Sequence, residues 1–179
     1  MSARALESER ERLREALLDL CFERGYRDVD LPSLLRRAEV DERAFDGIYA
    51  DLEDCFCAVY VEIRDDLFVR IERAVADQPS WRDRVRATAY VFLRFLREDP
   101  RVTWLSVIEV RTAGERPQQL LAEASESLLD LIDEGRPERR GDDSITRATA
   151  EGSRIGFREW TGEPDPAARC MSGGCSSGA

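Results

Sequence analysis

The sequence contains no histidine, lysine or asparagine among its 179 residues. The absence of histidine removes the side chain that most often serves as a general base or a metal ligand. The P-loop and GxGxxG patterns of common nucleotide-binding sites are also missing. We therefore predict that the chain is not an enzyme and that it requires no cofactor.

The five cysteines do not form a metal-binding pattern. Cys55 and Cys57 are two residues apart on a predicted helix, so their side chains point about 200° apart and cannot share one ion. Cys170 and Cys175 lie in a Gly/Ser-rich stretch without partner ligands. Cys21, Cys55 and Cys57 are instead predicted to be small apolar core residues, and no metal site is expected.

The chain has no long hydrophobic run. Apolar stretches such as Ala58–Val61 extend over only a few residues, far short of the roughly 20 that a membrane-spanning helix needs. The first residues are highly charged and lack the apolar block of a signal peptide. We expect a cytoplasmic protein without a membrane partner.

Basic residues are outnumbered, because 27 arginines stand against 37 acidic residues and give a net charge of −10. Residues 1–60 contain nine arginines against fifteen acidic residues, a net charge of −6. Phosphate contacts supply most non-specific affinity for nucleic acid, so this composition argues against an indiscriminate nucleic-acid binder. Arg36, Arg37 and Arg43 are close enough in sequence to form a local positive face.

Apolar residues recur every three or four positions along most of the chain, and no segment alternates with a period of two. This pattern predicts an all-α fold with eight helices. Asp30, Asp41 and Asp51 are predicted N-caps of the second, third and fourth helices. The helices are separated by chain breaks at Gly25, Pro79–Ser80, Asp99–Pro100, Gly114 and Gly135–Pro137.

The helical pattern predicts three regions. Residues 1–50 form a head of three short helices with a tight turn at Ala38–Asp41, which is a helix-turn-helix arrangement. Residues 51–160 form a helical body with a last helix that begins near Asp142. Residues 161–179 are rich in Gly, Pro and Ser and are predicted to be a disordered tail.

The segment Leu13–Phe56 resembles the DNA-binding head of the tetracycline-repressor (TetR) family of bacterial transcription regulators. The resemblance rests on apolar, glycine and aromatic positions and covers about a third of the chain. The matching residues are Gly25, Tyr26, Leu34, Leu35, Ala38, Val40, Phe45, Tyr49, Glu53 and Phe56. Family members usually end in two long dimerisation helices. Here the sequence predicts one short helix and none after it, so we expect shortened C-terminal helices.

The resemblance implies that the third helix, Glu42–Tyr49, enters the major groove of double-stranded DNA. Phe45 and Tyr49 are four residues apart and are expected to anchor it to the head. The outward face is then predicted to meet base edges, with Arg43 placed to bond a guanine and Glu42 a cytosine amine. Phosphate contacts are predicted from helix two. The predicted DNA-binding residues are Ser33, Arg36, Glu42, Arg43, Ala44, Asp46 and Gly47.

The resemblance also implies a homodimer that binds a palindromic operator and a body that encloses an unknown small-molecule effector. Aromatic and apolar residues lie around two helix breaks of the body, and they are the candidate effector-binding residues. These are Phe92, Phe95, Trp104, Ile108 and Leu121. Trp104 is favoured, because a buried indole N–H needs a partner. The alternative is that these side chains are simply core.

Three positions depart from the family pattern. Asp46 stands where the family usually has tyrosine, Ile48 where it has histidine, and Leu52 where it has lysine; the family's tyrosine and lysine commonly contact phosphate. The sequence is thus compatible with two functions. The first is a DNA-binding transcription regulator, most simply a repressor that an effector releases. The alternative is a helical ligand- or protein-binding module whose TetR-like head has lost specific DNA binding.

Overall fold

Residues 3–133, the part of the chain that the computed structural model describes, consist of helices and connecting turns without any β-strand. The all-α prediction is therefore confirmed for these residues. The predictions for the helix near Asp142, the shortened C-terminal end, the tail 161–179 and the Cys170–Cys175 pair lie outside the described residues.

Three α-helices form the head, which we define as residues 3–50. Helix α1 spans Ala3–Arg24, α2 spans Leu31–Ala38 and α3 spans Glu42–Asp46, with a 3-10 turn at Tyr26–Asp28 between α1 and α2. Gly25 ends α1 with a φ of 82°, a conformation that suits glycine because it lacks a Cβ atom.

The predicted N-caps are confirmed, and they explain where α2, α3 and α4 begin. The side chains of Asp30, Asp41 and Asp51 accept hydrogen bonds from the backbone N–H groups three residues later, at 2.7–2.9 Å. Each bond satisfies a donor that the first helical turn leaves without an intrahelical partner.

Four further helices form the described part of the body. Helix α4 spans Leu52–Val75, α5 spans Trp81–Glu98, α6 spans Pro100–Thr103 and α7 spans Glu115–Asp133. Helices α4 and α5 pack against each other, and α6 reaches back to α1. No helix within residues 3–133 is long and apolar enough to cross a bilayer.

The stretch between the breaks at Asp99–Pro100 and Gly114, which the apolar pattern predicts as one helix, is not a regular α-helix. Only Pro100–Thr103 is α-helical; a π-helical turn follows at Trp104–Ile108 and a 3-10 turn at Glu109–Arg111. A π turn bonds each N–H to the carbonyl five residues earlier, which widens the helix by one residue per turn. Hydrophobic spacing alone does not distinguish this from an α-helix.

The hydrophobic core runs continuously from the head into the body. Leu13, Leu17 and Leu34 of the head and Phe56 and Val59 of α4 are completely buried. Tyr26 packs on Phe56 with ring centroids 4.6 Å apart. Since burial of one large apolar side chain contributes about 1.5–3 kcal/mol, this cluster fixes the position of the head on α4.

Candidate nucleic-acid interface

Helix α3 is held to the head by the two aromatic side chains that the sequence identified. Phe45 is 1% exposed and Tyr49 is 5% exposed, and their ring centroids lie 5.6 Å apart. The helix is shorter than predicted: it ends at Asp46, and Ile48 and Tyr49 follow in a turn whose N–H groups bond the Phe45 carbonyl. Burial raises the pKa of Tyr49 to about 12.

The outer face of α3 carries the predicted base-contacting residues with one correction. Glu42, Arg43, Asp46 and Gly47 are exposed. Ala44 is buried, contrary to the expectation that it faces outward, because it belongs with Phe45 to the apolar side of this one-turn helix. The outer face therefore consists of two carboxylates, one guanidinium and a glycine.

Arg43 is the available cation of this face. Within residues 3–133, no ion pair or hydrogen bond engages its guanidinium. Asp46, three residues later on α3, does not pair with it. Five N–H donors in a planar fork are thus directed to solvent, which is the arrangement that bidentate contact with guanine O6 and N7 requires.

The turn between α2 and α3 contains backbone strain. Glu39 takes a left-handed conformation with φ 54° and ψ 43°, the only non-glycine residue with positive φ among the described residues. The N–H of Val40 bonds the Leu35 carbonyl across the turn. Arg12 of α1 donates to the Glu39 carbonyl at 2.8 Å, so α1 supports the turn that orients α3.

The two arginines of α2 differ in whether their guanidinium groups are free to contact a phosphate. Arg36 is exposed and forms no salt bridge within the described residues. Hydrogen bonds with Ser33 lower the pKa of the Asp30 carboxyl, and the nearby charge of Arg36 adds to this effect. Arg37 is bonded through both terminal nitrogens to Glu23, at 2.9 and 2.7 Å, and it also contacts Asp19. Arg36 is therefore the better candidate for a phosphate contact.

Ser33 has a structural role, as its burial and its hydrogen bonds show. It is buried, its hydroxyl donates to the Asp30 carbonyl at 2.8 Å, and its oxygen accepts from Asp30 N–H and from Arg24. These bonds complete a capping box at the start of α2. A phosphate contact by the Ser33 hydroxyl would have to break its bond to Asp30.

The start of α4 is closed by the protein's own carboxylates. Asp51 accepts from Asp54 N–H, and Asp54 in turn accepts from Ala50 N–H at 3.1 Å. Arg116 of α7 bonds Asp54 at 3.1 Å. The bond from Ala50, aided by Arg116, lowers the pKa of Asp54. These N–H groups are thus not free to bind a phosphate.

The five candidate effector residues differ widely in their exposure. Phe95 is buried, Phe92 and Leu121 are half-buried, and Trp104 and Ile108 are 39% and 45% exposed. Leu121 packs against the main core. The core alternative fits Phe95 and Leu121, whereas Trp104 and Ile108 lie at the surface of the π-helical turn.

A cavity of about 300 Å³ lies where α1, α4, α5 and α6 meet. Its apolar lining is Ile63, Phe95 and Val102, and its remaining lining residues are charged. Arg70 lies over the Phe95 ring, 5.7 Å from its centroid, and pairs with Asp66 and Glu98. Of the predicted effector residues, only Phe95 lines this cavity.

Glu109 is a polar residue that the sequence analysis missed. It is 6% exposed, and both carboxylate oxygens are used. Oε2 accepts from the Tyr26 N–H of the head at 2.9 Å, and Oε1 accepts from the Trp104 indole N–H at 2.8 Å. A lone acidic residue between Ile108 and Val110 was the available signal. The Trp104 N–H therefore has a partner within the protein itself.

The described cysteines fit a structural role. Cys21, Cys55 and Cys57 are buried free thiols. Burial raises the pKa of both Cys21 and Cys55 to about 12, so the reactive thiolate is not populated near neutral pH. Within residues 3–133, no group of three or more cysteine or carboxylate side chains is arranged to hold a metal ion.

Solved structures share this architecture. The chain resembles a TetR-family transcription regulator from Marinobacter aquaeolei VT8 (16% identity, 76% of this chain and 73% of that chain, TM-score 0.64). It also resembles the transcriptional regulator FadR from Bacillus subtilis, solved with stearoyl-CoA (15% identity, 79% and 81%, TM-score 0.67). A third similar structure is a tetR-family regulatory protein from Rhodococcus RHA1 (15% identity, 93% and 88%, TM-score 0.66).

These likenesses show that the chain has a TetR-like fold. No protein-family model matches the sequence, and no curated protein matches it. The fold was thus recognisable from a pattern of apolar, glycine and aromatic residues, although overall identity to the similar structures is low.

Proposed function

We propose that this protein is a cytoplasmic, sequence-specific DNA-binding transcription regulator of the repressor type. Residues 1–50 form its DNA-binding domain, and residues 51–160 form a regulatory and dimerisation domain. The observation that carries the proposal is the outer face of α3, where Arg43 is exposed and unpaired among the described residues while Phe45 and Tyr49 hold the helix from behind. The TetR-like fold supports it.

The proposed mechanism needs two heads. A homodimer places one α3 in each of two major grooves, with half-sites roughly 34–36 Å apart or a multiple of that distance. Arg43 contacts a base, Arg36 a phosphate, and Glu42, Asp46 and Gly47 lie along the base edges. A small-molecule effector that prefers the splayed arrangement of the heads then lowers operator affinity by its differential binding energy.

A binding titration tests this proposal directly. Fluorescence anisotropy with duplex DNA from upstream of the protein's own gene is compared with a scrambled duplex of equal length and composition. The proposal predicts preference for the upstream duplex and a log–log salt slope of several units, since each phosphate contact releases counterions. Equal binding of both duplexes, or no binding of either at low salt, contradicts it.

The closed start of α4 favours a second candidate function. Asp51 and Asp54 use the backbone N–H groups there, and Asp46 adds an exposed carboxylate to α3. These charges repel phosphate. A helical ligand- or protein-binding module that has lost specific DNA recognition fits this arrangement, and it predicts the absence of binding in the same titration.

A further inference from the structure

The head contacts the segment Pro100–Arg111 through two polar groups and one aromatic pair. Arg101 bonds Glu15 and Asp19 of α1 at 3.0 and 2.7 Å, with all three side chains at least 31% exposed. The Trp104 ring meets the Phe22 ring edge-on, with centroids 6.2 Å apart. The bond between Glu109 and Tyr26 N–H is part-buried, and it differs from these because its acceptor, Glu109, is only 6% exposed, so water competes less for it.

The π-helical turn makes this contact possible. Trp104 and Glu109 are five residues apart, and in a regular α-helix their side chains would point about 140° apart. In a π turn the i→i+5 bonding pattern brings residue i+5 above residue i. The indole N–H therefore reaches one carboxylate oxygen while the other oxygen faces the head.

The end of α1 also lies within ordinary van der Waals distance of the carboxylate. A Cβ atom at Gly25 would lie 3.5 Å from Glu109 Oε1, and Gly25 has a positive φ that side chains rarely adopt. The next residue, Tyr26, supplies the N–H that bonds Oε2. The end of α1 is thus shaped to receive this carboxylate.

We propose that Glu109 is a positioning residue that couples the Trp104 indole to the end of α1. Trp104 is 39% exposed, so a change at the surface of the π turn alters the indole bond, then the Glu109 carboxylate, then the Tyr26 N–H. This route rests on the proposed function, because it names the path by which the body affects the DNA affinity of the head.

Amide hydrogen exchange tests the coupling without DNA. Trp104→Phe keeps an aromatic ring next to Phe22 and removes the indole N–H donor together with the five-membered ring that carries it. We expect exchange of the Tyr26 N–H to accelerate about three- to tenfold, the range that the loss of one net hydrogen-bond contribution gives. Trp81→Phe is the control for loss of an indole elsewhere, and its Tyr26 exchange should match that of the unaltered protein.

The Glu109 variant completes this test. Glu109→Gln keeps the shape but replaces one acceptor oxygen by a donor, so Tyr26 exchange should accelerate and Trp104→Phe should add nothing further. Glu115→Gln removes an exposed charge as the matched control. The proposal is overturned if Trp104→Phe leaves Tyr26 exchange unchanged, or if the two variants act additively.

A DNA titration with the upstream duplex then measures the consequence. We expect Trp104→Phe to change the DNA affinity about three- to tenfold when Glu109 is present. In the Glu109→Gln background, Trp104→Phe should leave the DNA affinity unchanged. If the unaltered protein binds no duplex, the proposed function fails while the exchange experiment still decides the coupling. If it binds and Trp104→Phe acts equally in both backgrounds, the coupling fails and the proposed function stands.

Discussion

The head and helix α5 use apolar side chains in opposite ways. In the head, Leu13, Leu17 and Leu34 are completely buried, and Phe45 is 1% exposed. Along α5 only Thr88 and Phe95 are buried, whereas the outward residues Tyr90 and Leu93 are 69% and 61% exposed. The head therefore owes its shape to its own contacts, while one side of α5 takes no part in packing within residues 3–133.

The largest expected effect separates these two regions by stability. Phe45→Ala should lower the free energy of unfolding by about 3–5 kcal/mol, because it leaves a cavity in the head core. Tyr90→Ala removes a similar ring from the exposed side of α5 and should stay within about 0.5 kcal/mol. Urea denaturation followed by circular dichroism measures both. Similar losses in the two variants would show that α5 is covered in solution.

The next effect compares two arginines of the head by DNA affinity. Arg43→Ala should weaken binding to a specific duplex by about 1–3 kcal/mol if the guanidinium contacts a guanine. Its stability should not change, because Arg43 is exposed. Arg37→Ala is the control, since Glu23 and Asp19 already hold that side chain. If Arg37→Ala weakens binding more than Arg43→Ala, the base contact is not made by Arg43.

A third substitution examines the strained turn between α2 and α3, a feature that α5 lacks. Glu39→Gly should raise the free energy of unfolding by about 0.5–1 kcal/mol, because glycine adopts positive φ without a steric penalty. Glu42→Gly, in the first turn of α3, should lower it by a similar amount. Thermal melts of both variants check the opposite signs. A loss of stability in Glu39→Gly would mean that the side chain outweighs the strain.

The smallest expected effect is the loss of folding stability at acidic pH. Hydrogen bonds lower the pKa of Asp54, through Ala50 N–H and Arg116, and of Asp99, mainly through Arg101. A carboxyl group whose pKa is lower in the folded state contributes stability above its unfolded pKa and loses it as pH falls through the folded value. Stability should therefore decline as pH falls below the ordinary aspartate value of 3.8.

The variants Asp54→Asn and Asp99→Asn show how much of this loss of stability at acidic pH comes from the start of α4 and how much from the start of α6. Each variant should be less stable than the unaltered protein at pH 7 and should show a weaker loss between pH 5 and pH 2. Urea denaturation at several pH values measures the slopes. An unchanged pH dependence in both variants would place the acid-sensitive groups elsewhere.

Much of the head was predictable because its signals are local. Aspartates before apolar helices gave the starts of α2, α3 and α4, and the spacing of Phe45 and Tyr49 gave the buried side of α3. Ala44 was misplaced because alanine fits either an exposed or a buried helical position. The unpaired state of Arg43 depends on distances between elements, which spacing along the chain does not contain.

The junction between head and body was the part that sequence patterns missed. A π turn and an α-helix have similar apolar spacing over five residues, so the wider turn at Trp104–Ile108 left no signal of its own. The burial of Glu109 follows from that turn and from the closeness of Tyr26, which is 83 positions away. Trp104 indicated the need for a partner but not which residue supplies it.

The π turn means that this stretch has one residue more than an ordinary helix of the same rise. A related protein lacking that extra residue would still bring its equivalents of Trp104 and Glu109 to the same side, four positions apart in a regular α-helix. Alignments of distant relatives across this stretch should therefore open a single-residue gap between the two. An alignment without this gap would place the equivalent of Trp104 or of Glu109 one column away from it, and the shared pair of indole and carboxylate would not be seen.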